Sequence, residues 1–403
     1  MKSELKNLPS GWKVVRLGEI AEKSILKNRN NSIKLVLSNS AINGLVAQNE
    51  YFDKDIANKE NIQDYYIVHL GDFVYNPRIS QNAPTGPINR NMFSKGIVSP
   101  LYTVFSVQDE TLAKFLAYFF QTIVWQNQVK SVANYGARHD RINITDNTFF
   151  SLKILLPPLD EQEKIAEILS TWDEAINLTI NLIESKKQFK KALMQNLLTA
   201  KIRFPELKDE WRETKLKDIC IKMRSGGTPK STNRKFYNGN IPFVKINDMT
   251  LAGKYIYDTQ AKITEEGLEN SSAWLIPKNS LIYSMYASFG FVSINKIEVA
   301  TSQAMMCIVP NLSKVALEYL YYFLDDFQKN VCSFVETGTQ GNLNAEIVKN
   351  FKIKLPNLNE QQKIAEVLTS CDDEINLLNL KLENLKKQKQ GLMQKLLSGK
   401  VRI

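Results

Sequence analysis

The sequence predicts an α+β protein with two globular domains separated by two long antiparallel coiled-coil helices, arranged as a pseudo-two-fold tandem repeat. Three observations predict it. Residues 156–204 (LPPLDEQEKIAEILSTWDEAINL through ALMQNLLTAKIRF) and 355–403 (LPNLNEQQKIAEVLTSCDDEINL through GLMQKLLSGKVRI) align without a gap at an offset of 199, with about half their positions identical. Trp12 in GWKVVRLGEI and Trp211 in EWRETKLKDI fall at the same offset, so the duplication extends beyond the helical stretches. Before each helical stretch, short β-rich runs alternate with turns. The chain of 403 residues therefore divides into globular stretches 1–155 and 205–354 and helical stretches 156–204 and 355–403.

Each helical stretch follows a proline that ends an extended segment (KILLPPL, KIKLPNL), because proline turns its predecessor away from the helix. Asp160 with Glu163, and Asn359 with Gln362, have the spacing of an N-cap and its return acceptor. In the second copy Ile364, Leu368, Cys371, Ile375, Leu378, Leu382, Leu385, Leu392 and Leu396 recur at alternating steps of four and three, interrupted at Lys389. The first copy carries the same seam at Ile165, Leu169, Trp172, Ile176, Ile183, Leu193 and Leu197, broken by Thr179, Lys186 and Lys190. A period of 3.5 keeps one stripe facing a partner helix. About 40 residues make a rod of roughly 60 Å. Two matched seams in one chain favour intramolecular pairing over a helix packed on its own domain or a zipper between chains.

The variable stretches place strands in YYIVHLGDFVYNP, GIVSPLYTVFSV, AWLIPKNSLIYSMYASFGFVSI and AMMCIVP. One helix per copy is expected, over LAKFLAYFFQTIVWQNQ and VALEYLYYFLDDFQKN. Their aromatics (Phe115, Tyr118, Phe119; Tyr319, Tyr322, Phe323) recur at helical spacing and read as core.

Composition narrows the function. Hydrophobic residues make up 43% and aromatics 10%, enough to bury a core. The net charge of +10 favours a polyanionic partner. Cys220, Cys307, Cys332 and Cys371 stand far apart and the two histidines, His69 and His139, are isolated, so metal-ligand spacing is missing and reduced thiols are expected. The N-terminus has charges throughout and lacks the apolar core of a signal peptide, and no apolar run could span a bilayer, so a cytoplasmic protein without a membrane partner is expected. Enzymatic motifs fail on inspection. Tyr75-Asn76-Pro77-Arg78 lacks the second proline and aromatic of an amino-methyltransferase motif. Gly226-Gly227-Thr228-Pro229-Lys230-Ser231 lacks P-loop spacing, and Pro229 removes an N–H. Asp209 with Glu213-Thr214-Lys215 faintly suggests a nuclease metal site, but Val14-Val15-Arg16 at the matching position has no carboxylate.

The doubled LPPLDEQEKIAEIL/LPNLNEQQKIAEVL helix start, with GWKVVRLGEI, GDFVYNPR, GARHDRINI, SGGTPKSTN, GNIPFVKINDM and GTQGNLN, resembles the specificity subunits of type I restriction–modification systems over the whole chain. The resemblance implies two target-recognition domains joined by spacer helices, each reading one half of a split, asymmetric double-stranded DNA site. It implies two methyltransferase subunits and restriction/translocation subunits as partners. These would hold the S-adenosylmethionine, ATP and magnesium, leaving this chain without cofactor or catalytic residue. A specificity subunit of a related bipartite system, or a coiled-coil adaptor without a DNA role, are the alternatives.

Candidate DNA contacts are side chains that bond phosphates or base edges. In the first stretch these are Arg78, Gln81, Asn82 and Arg90 around a proline-rich loop, with Arg138, His139 and Arg141. In the second they are Arg224, Ser225, Thr228, Lys230, Asn233, Arg234 and Lys235, with Lys245, Asn247, Tyr286, Ser288, Gln303 and Gln340.

Overall fold

The computed structural model describes residues 8–48, 62–135, 140–207, 209–286, 289–331 and 343–403. The chain forms two compact units, residues 1–180 with 381–403, and residues 181–380. Each unit thus contains a globular stretch, the start of the long helix that follows it, and the end of the other long helix. Those helices run Leu159–Leu198 and Leu358–Leu396.

In the first unit the opening strand Lys13–Arg16 pairs antiparallel with Lys153–Leu156, the strand that leads into the long helix. A four-stranded sheet orders Glu22–Lys23, Thr103–Ser106, Phe73–Tyr75 and Ile88–Arg90. Against it lies an aromatic core of Phe73, Phe105, Phe115, Phe119, Trp125 and Phe149. That core also takes Ile165 and Leu169 from the start of the first long helix, and Met393, Leu396 and Leu397 from the end of the second. Each fully buried aliphatic side chain of this kind contributes about 1.5–3 kcal/mol.

The second unit repeats the plan. Arg212–Lys215 pairs with Lys352–Leu355 in the same register. A five-stranded sheet begins Cys220–Ser225, Met305–Pro310, Ser280–Ser284, Val292–Asn295, the order seen in the first unit, and adds Tyr255–Ile256 parallel at its edge. A three-stranded sheet (Ala261–Ile263, Tyr237–Val244, Ala300–Thr301) is added beside it. Its main core takes Ile364 and Leu368 from one long helix and Met194, Leu197 and Leu198 from the other. Within each unit, then, one long helix starts where the other ends, the antiparallel arrangement expected.

The seam is buried as its period requires. Ile165, Leu169, Ile183, Ile364, Leu368 and Ile375 are buried, and Trp172, Ile176, Cys371, Leu378, Leu382 and Leu385 are half-buried. The lysines that interrupt it form ion pairs. Lys389 Nζ lies 2.5 Å from Asp173 Oδ1, whose Oδ2 accepts the Tyr118 hydroxyl at 2.8 Å. In the second unit Lys190 Nζ lies 2.5 Å from Asp372 Oδ1, and Asp372 Oδ2 accepts from Tyr322 at 2.6 Å. Burial and the adjacent carboxylates push both phenols above their ordinary range, so each stays a donor. Lys186 pairs with Glu374 at 2.7 Å, and Thr179 donates to the Ala175 carbonyl at 2.7 Å.

Two expectations need correction. The long helices start before Asp160 and Asn359, so neither is an N-cap. Asn357 Oδ1 instead accepts the Glu360 N–H at 2.9 Å, while the Pro158 carbonyl takes the Glu161 and Gln162 N–H groups. The helix expected over LAKFLAYFFQTIVWQNQ is two, Glu110–Phe119 and Ile123–Val132. Thr122 divides them: its hydroxyl donates to the Phe119 carbonyl at 2.7 Å and caps the Trp125 N–H at 3.2 Å.

The acidic residue that opens each helix has a different task from capping. Glu161, buried, accepts the Trp12 indole N–H at 3.1 Å and the Arg402 guanidinium at 3.0 Å. Glu360, also buried, accepts the Trp211 indole at 3.1 Å and Arg203 at 2.9 and 2.8 Å. The next residue, Gln162 or Gln361, donates to the Pro157 or Pro356 carbonyl, each at 2.8 Å.

Both helices end in the same reversal, with Lys201 N–H to Asn196 O and Lys400 N–H to Lys395 O, both at 3.0 Å. The left-handed residue is Gly399 at φ 72° in one copy but Ala200 at φ 59° in the other. Ala200→Gly should therefore stabilise the protein by about 0.5–1 kcal/mol, the left-handed penalty less the glycine entropy. Gly399→Ala should destabilise it by at least about 1 kcal/mol, because its Cβ would also lie 2.7 Å from Pro9 Cγ. Denaturant melts of the two variants check the opposite signs.

Candidate nucleic-acid interface

In the first unit the candidates gather on the connection between Phe73–Tyr75 and Ile88–Arg90. Arg78 and Arg141 face each other across an isolated antiparallel bridge, held by Ile79 N–H to Asp140 O and Ile142 N–H to Pro77 O, both 3.0 Å. Both arginines are exposed. The Arg78 guanidinium has no partner among the described residues, and Arg141 has only Asp140 at 4.0 Å. Gln81 and Asn82 are the exposed tip of a tight turn closed by Ser80 and Ala83. Gly86, at φ 76°, lets the loop fold back, since a Cβ there would sit 2.1 Å from the Asn76 carbonyl oxygen.

Beneath this surface lies a network of amides. Asn39 Nδ2 donates to the Val74 and Pro87 carbonyls at 2.6 and 3.1 Å. Asn89 Nδ2 donates to Asn39 Oδ1 at 2.6 Å and to the Ser40 carbonyl at 3.0 Å. Asn76 Nδ2 donates to the Asn39 carbonyl and the Tyr102 hydroxyl at 3.2 Å each, while its Oδ1 accepts the Arg78 N–H at 3.0 Å. A satisfied network of this kind holds a loop in one conformation. Above it opens a cleft of about 500 Å³ lined in part by Ser40, Ile42, Arg78, Asn82, Leu101 and Arg141.

Arg90 does not join the cluster. Its guanidinium forms a two-pronged pair with Glu110 and donates to the Gly71 carbonyl at 3.1 Å, leaving the side chain 12% exposed. Arg138, His139, Ser288 and Gln340 lie outside the described residues.

In the second unit the structure joins Thr228 to Gln303 and holds Arg224 separately. Arg224 donates to the Ser272 carbonyl at 3.1 Å, and Thr228 donates to Gln303 Oε1 at 2.6 Å. Gly226 and Gly227 serve close backbone packing: Cβ atoms there would lie 2.2 Å from the Thr301 carbonyl and 2.1 Å from Ser272 Oγ. Ser225 ends the edge strand Cys220–Ser225. Asn233 caps the short helix Arg234–Phe236 through the Lys235 N–H at 3.1 Å, leaving Lys230, Arg234 and Lys235 exposed. Lys245 and Asn247 are exposed at the start of a separate helix, Ile246–Ala252. Tyr286 is exposed just after the strand Ser280–Ser284.

Residues 9–186 and 208–387 each match the family model described as the type I restriction modification DNA specificity domain. The chain belongs to this family. It is 25% identical over 419 residues to the type I restriction enzyme MjaVIII specificity subunit of Methanocaldococcus jannaschii, covering 98% of this chain and 94% of that one. The fold is shared with the HsdS subunit from Thermoanaerobacter tengcongensis (TM-score 0.54, 19% identity, all of both chains). It is also shared with a chain solved in work on complex assembly and conformational transition of the type I R-M system (TM-score 0.64, 19% identity, 98% of this chain and 100% of that one). The two matched segments of this specificity-domain chain begin 199 residues apart, the offset of the internal repeat.

Sequence reading missed the asparagines beneath the first cluster. Their only signal was three isolated Asn residues inside or beside β-rich runs, where asparagine is disfavoured. Asn76→Ala should leave the Tyr102 hydroxyl and Asn39 carbonyl without their donor and the Arg78 N–H without its acceptor. The expected loss is about 1–3 kcal/mol of stability in urea titration.

Proposed function

We propose that the chain is the DNA-reading subunit of a type I restriction–modification complex. In this reading residues 1–155 and 205–354 are target-recognition domains and 156–204 and 355–403 are spacer helices. Each domain reads one half of a bipartite, asymmetric site. The observation that carries it is the exposed pair Arg78 and Arg141, bridged through their backbones over a buried amide network. Exposed guanidinium groups on a fixed backbone, one without a carboxylate partner among the described residues and the other with only Asp140 at 4.0 Å, suit guanine edges or phosphates. The second unit's Arg224, its Thr228–Gln303 pair and the basic turn over 230–235 give it a different set of donors, as an asymmetric site needs.

Catalysis belongs, in this reading, to the partners. Two methyltransferase subunits hold the S-adenosylmethionine, and restriction/translocation subunits hold ATP and magnesium, all acting with this chain in the cytoplasm. Among the described residues no helix is long and apolar enough to cross a membrane.

The test is long-read mapping of methylated adenines after co-expression with the methyltransferase. Arg78→Ala with Arg141→Ala should relax or abolish one half-site and leave the other intact. Equal loss at both halves in a folded protein would sink the independent-domain reading. Binding should also weaken with salt, and each phosphate contact removed should lower the salt slope by about 1. An adaptor without a DNA role would show no such slope. Separately, a four-residue insertion in the first long helix should change the tolerated spacing between half-sites or abolish assembly, since a stutter shifts the seam. Unchanged spacing with full activity would remove the ruler role.

A further inference from the structure

Two large apolar side chains stand in solvent beside the arginine pair. Ile42, at the tip of the hairpin joining Leu37–Ser40 to Gly44–Ala47, is 72% exposed, and Leu101, in the turn before Thr103–Ser106, is 57% exposed. Both line the same cleft as Arg78 and Arg141. We infer that Ile42 and Leu101 are specificity-determining residues of the first unit that seat thymine methyl groups in the major groove, on the proposed reading of this unit as a DNA-recognition domain.

The positions are built. Ser40 Oγ accepts the Ile42 N–H at 3.2 Å, and the Ser40 carbonyl is held by Asn89 at 3.0 Å. Ser99 Oγ accepts the Leu101 N–H at 3.3 Å, and the neighbouring Tyr102 hydroxyl is bonded to Asn76 at 3.2 Å. The amide network that holds Arg78 through Asn76 thus reaches the Ile42 hairpin through Asn89 and the Leu101 turn through Tyr102. One network presents two cations and two aliphatic groups around a single cleft.

Charge complementarity selects the occupant. The tips share the cleft with Arg78 and Arg141, two exposed cations with no carboxylate closer than 4.0 Å among the described residues, so a polyanion with an apolar feature fits the set better than an apolar protein face. The major groove supplies what the set lacks. Its edges offer acceptors to guanidinium groups, its flanks carry phosphates, and the thymine 5-methyl is its apolar feature. Arginines alone select guanine and leave A·T pairs unread; aliphatic tips at fixed positions add a preference for thymine.

The test removes only the methyl group. The full chain in complex with its methyltransferase partner is titrated with the mapped duplex and with a duplex carrying deoxyuridine for every thymine of one half-site. Wild type should lose roughly fourfold in affinity for each seated methyl, the loss for one buried methyl-sized group, in the half-site read by the first unit. Ile42→Ala and Leu101→Ala should bind the thymine and deoxyuridine duplexes with a ratio reduced toward unity at that half-site, and should keep the wild-type ratio at the other. Wild type binding both duplexes equally would overturn the inference, and so would variants that lose affinity equally on both. The wild-type comparison does not depend on how well a variant folds. Absence of preference for the mapped duplex over a scrambled one would overturn instead the DNA-reading proposal on which this inference rests.

Discussion

Each unit closes on a buried carboxylate. An ionised glutamate in a protein interior costs several kcal/mol unless its oxygens are fully engaged, and Glu161 and Glu360 are engaged by the same two groups. The indole N–H comes from the start of the glutamate's own copy, and the guanidinium comes from the tail of the other copy: Arg402 for Glu161 and Arg203 for Glu360. Glu161 thereby ties the first strand to the last residues of the chain. Removing either arginine would strand a buried charge, so neither globular stretch is complete without a tail it does not itself encode. The paired strands Lys13–Arg16 with Lys153–Leu156, the helix starts, and the aromatic cores with their borrowed leucines all follow from that closure.

The seam lysines extend the same exchange along the helices. A lysine on a hydrophobic seam is a liability unless it meets a carboxylate at one register only. Lys389 of the second copy meets Asp173 of the first, and Lys190 of the first meets Asp372 of the second, each aspartate steadied by a tyrosine from the helix packed on it. A slip by one turn would bury these charges without partners. Polar positions in an apolar seam characteristically trade stability for register in this way.

The duplication, strand runs, seam and antiparallel helices were legible because each leaves a periodic trace. Other features leave none. The N-cap reading failed because Asp160 with Glu163, and Asn359 with Gln362, have the right spacing two residues too late; the helix starts at Leu159 and Leu358, where Asn357 caps one copy and a proline carbonyl serves the other. Phe119 through Trp125 is apolar except for Gln121 and Thr122, and two polar residues fit the exposed side of one continuous helix, so periodicity could not reveal the break that the Thr122 hydroxyl makes. Arg90 and Arg78 look alike in sequence, twelve positions apart on either side of one proline-rich turn. Only the fold shows that Glu110 takes one and leaves the other exposed.

Strand order explains how one scaffold carries two messages. Phe73–Tyr75 with Ile88–Arg90, and Ser280–Ser284 with Val292–Asn295, occupy the same places in their sheets. The connection between the first pair carries Arg78, Gln81 and Asn82, and that between the second carries Tyr286. The first connection is longer, and its fold-back needs Gly86 and the asparagine network. The second is short, and its exposed side chain among the described residues is an aromatic ring with a hydroxyl, Tyr286. The closing carboxylates, seam ion pairs and leading strands leave little freedom, because a change in one copy must be met by the tail of the other. The connection between these two strands bears no such obligation. It can diverge without disturbing closure, and the two copies differ in charge, length and hydrogen-bonding character there.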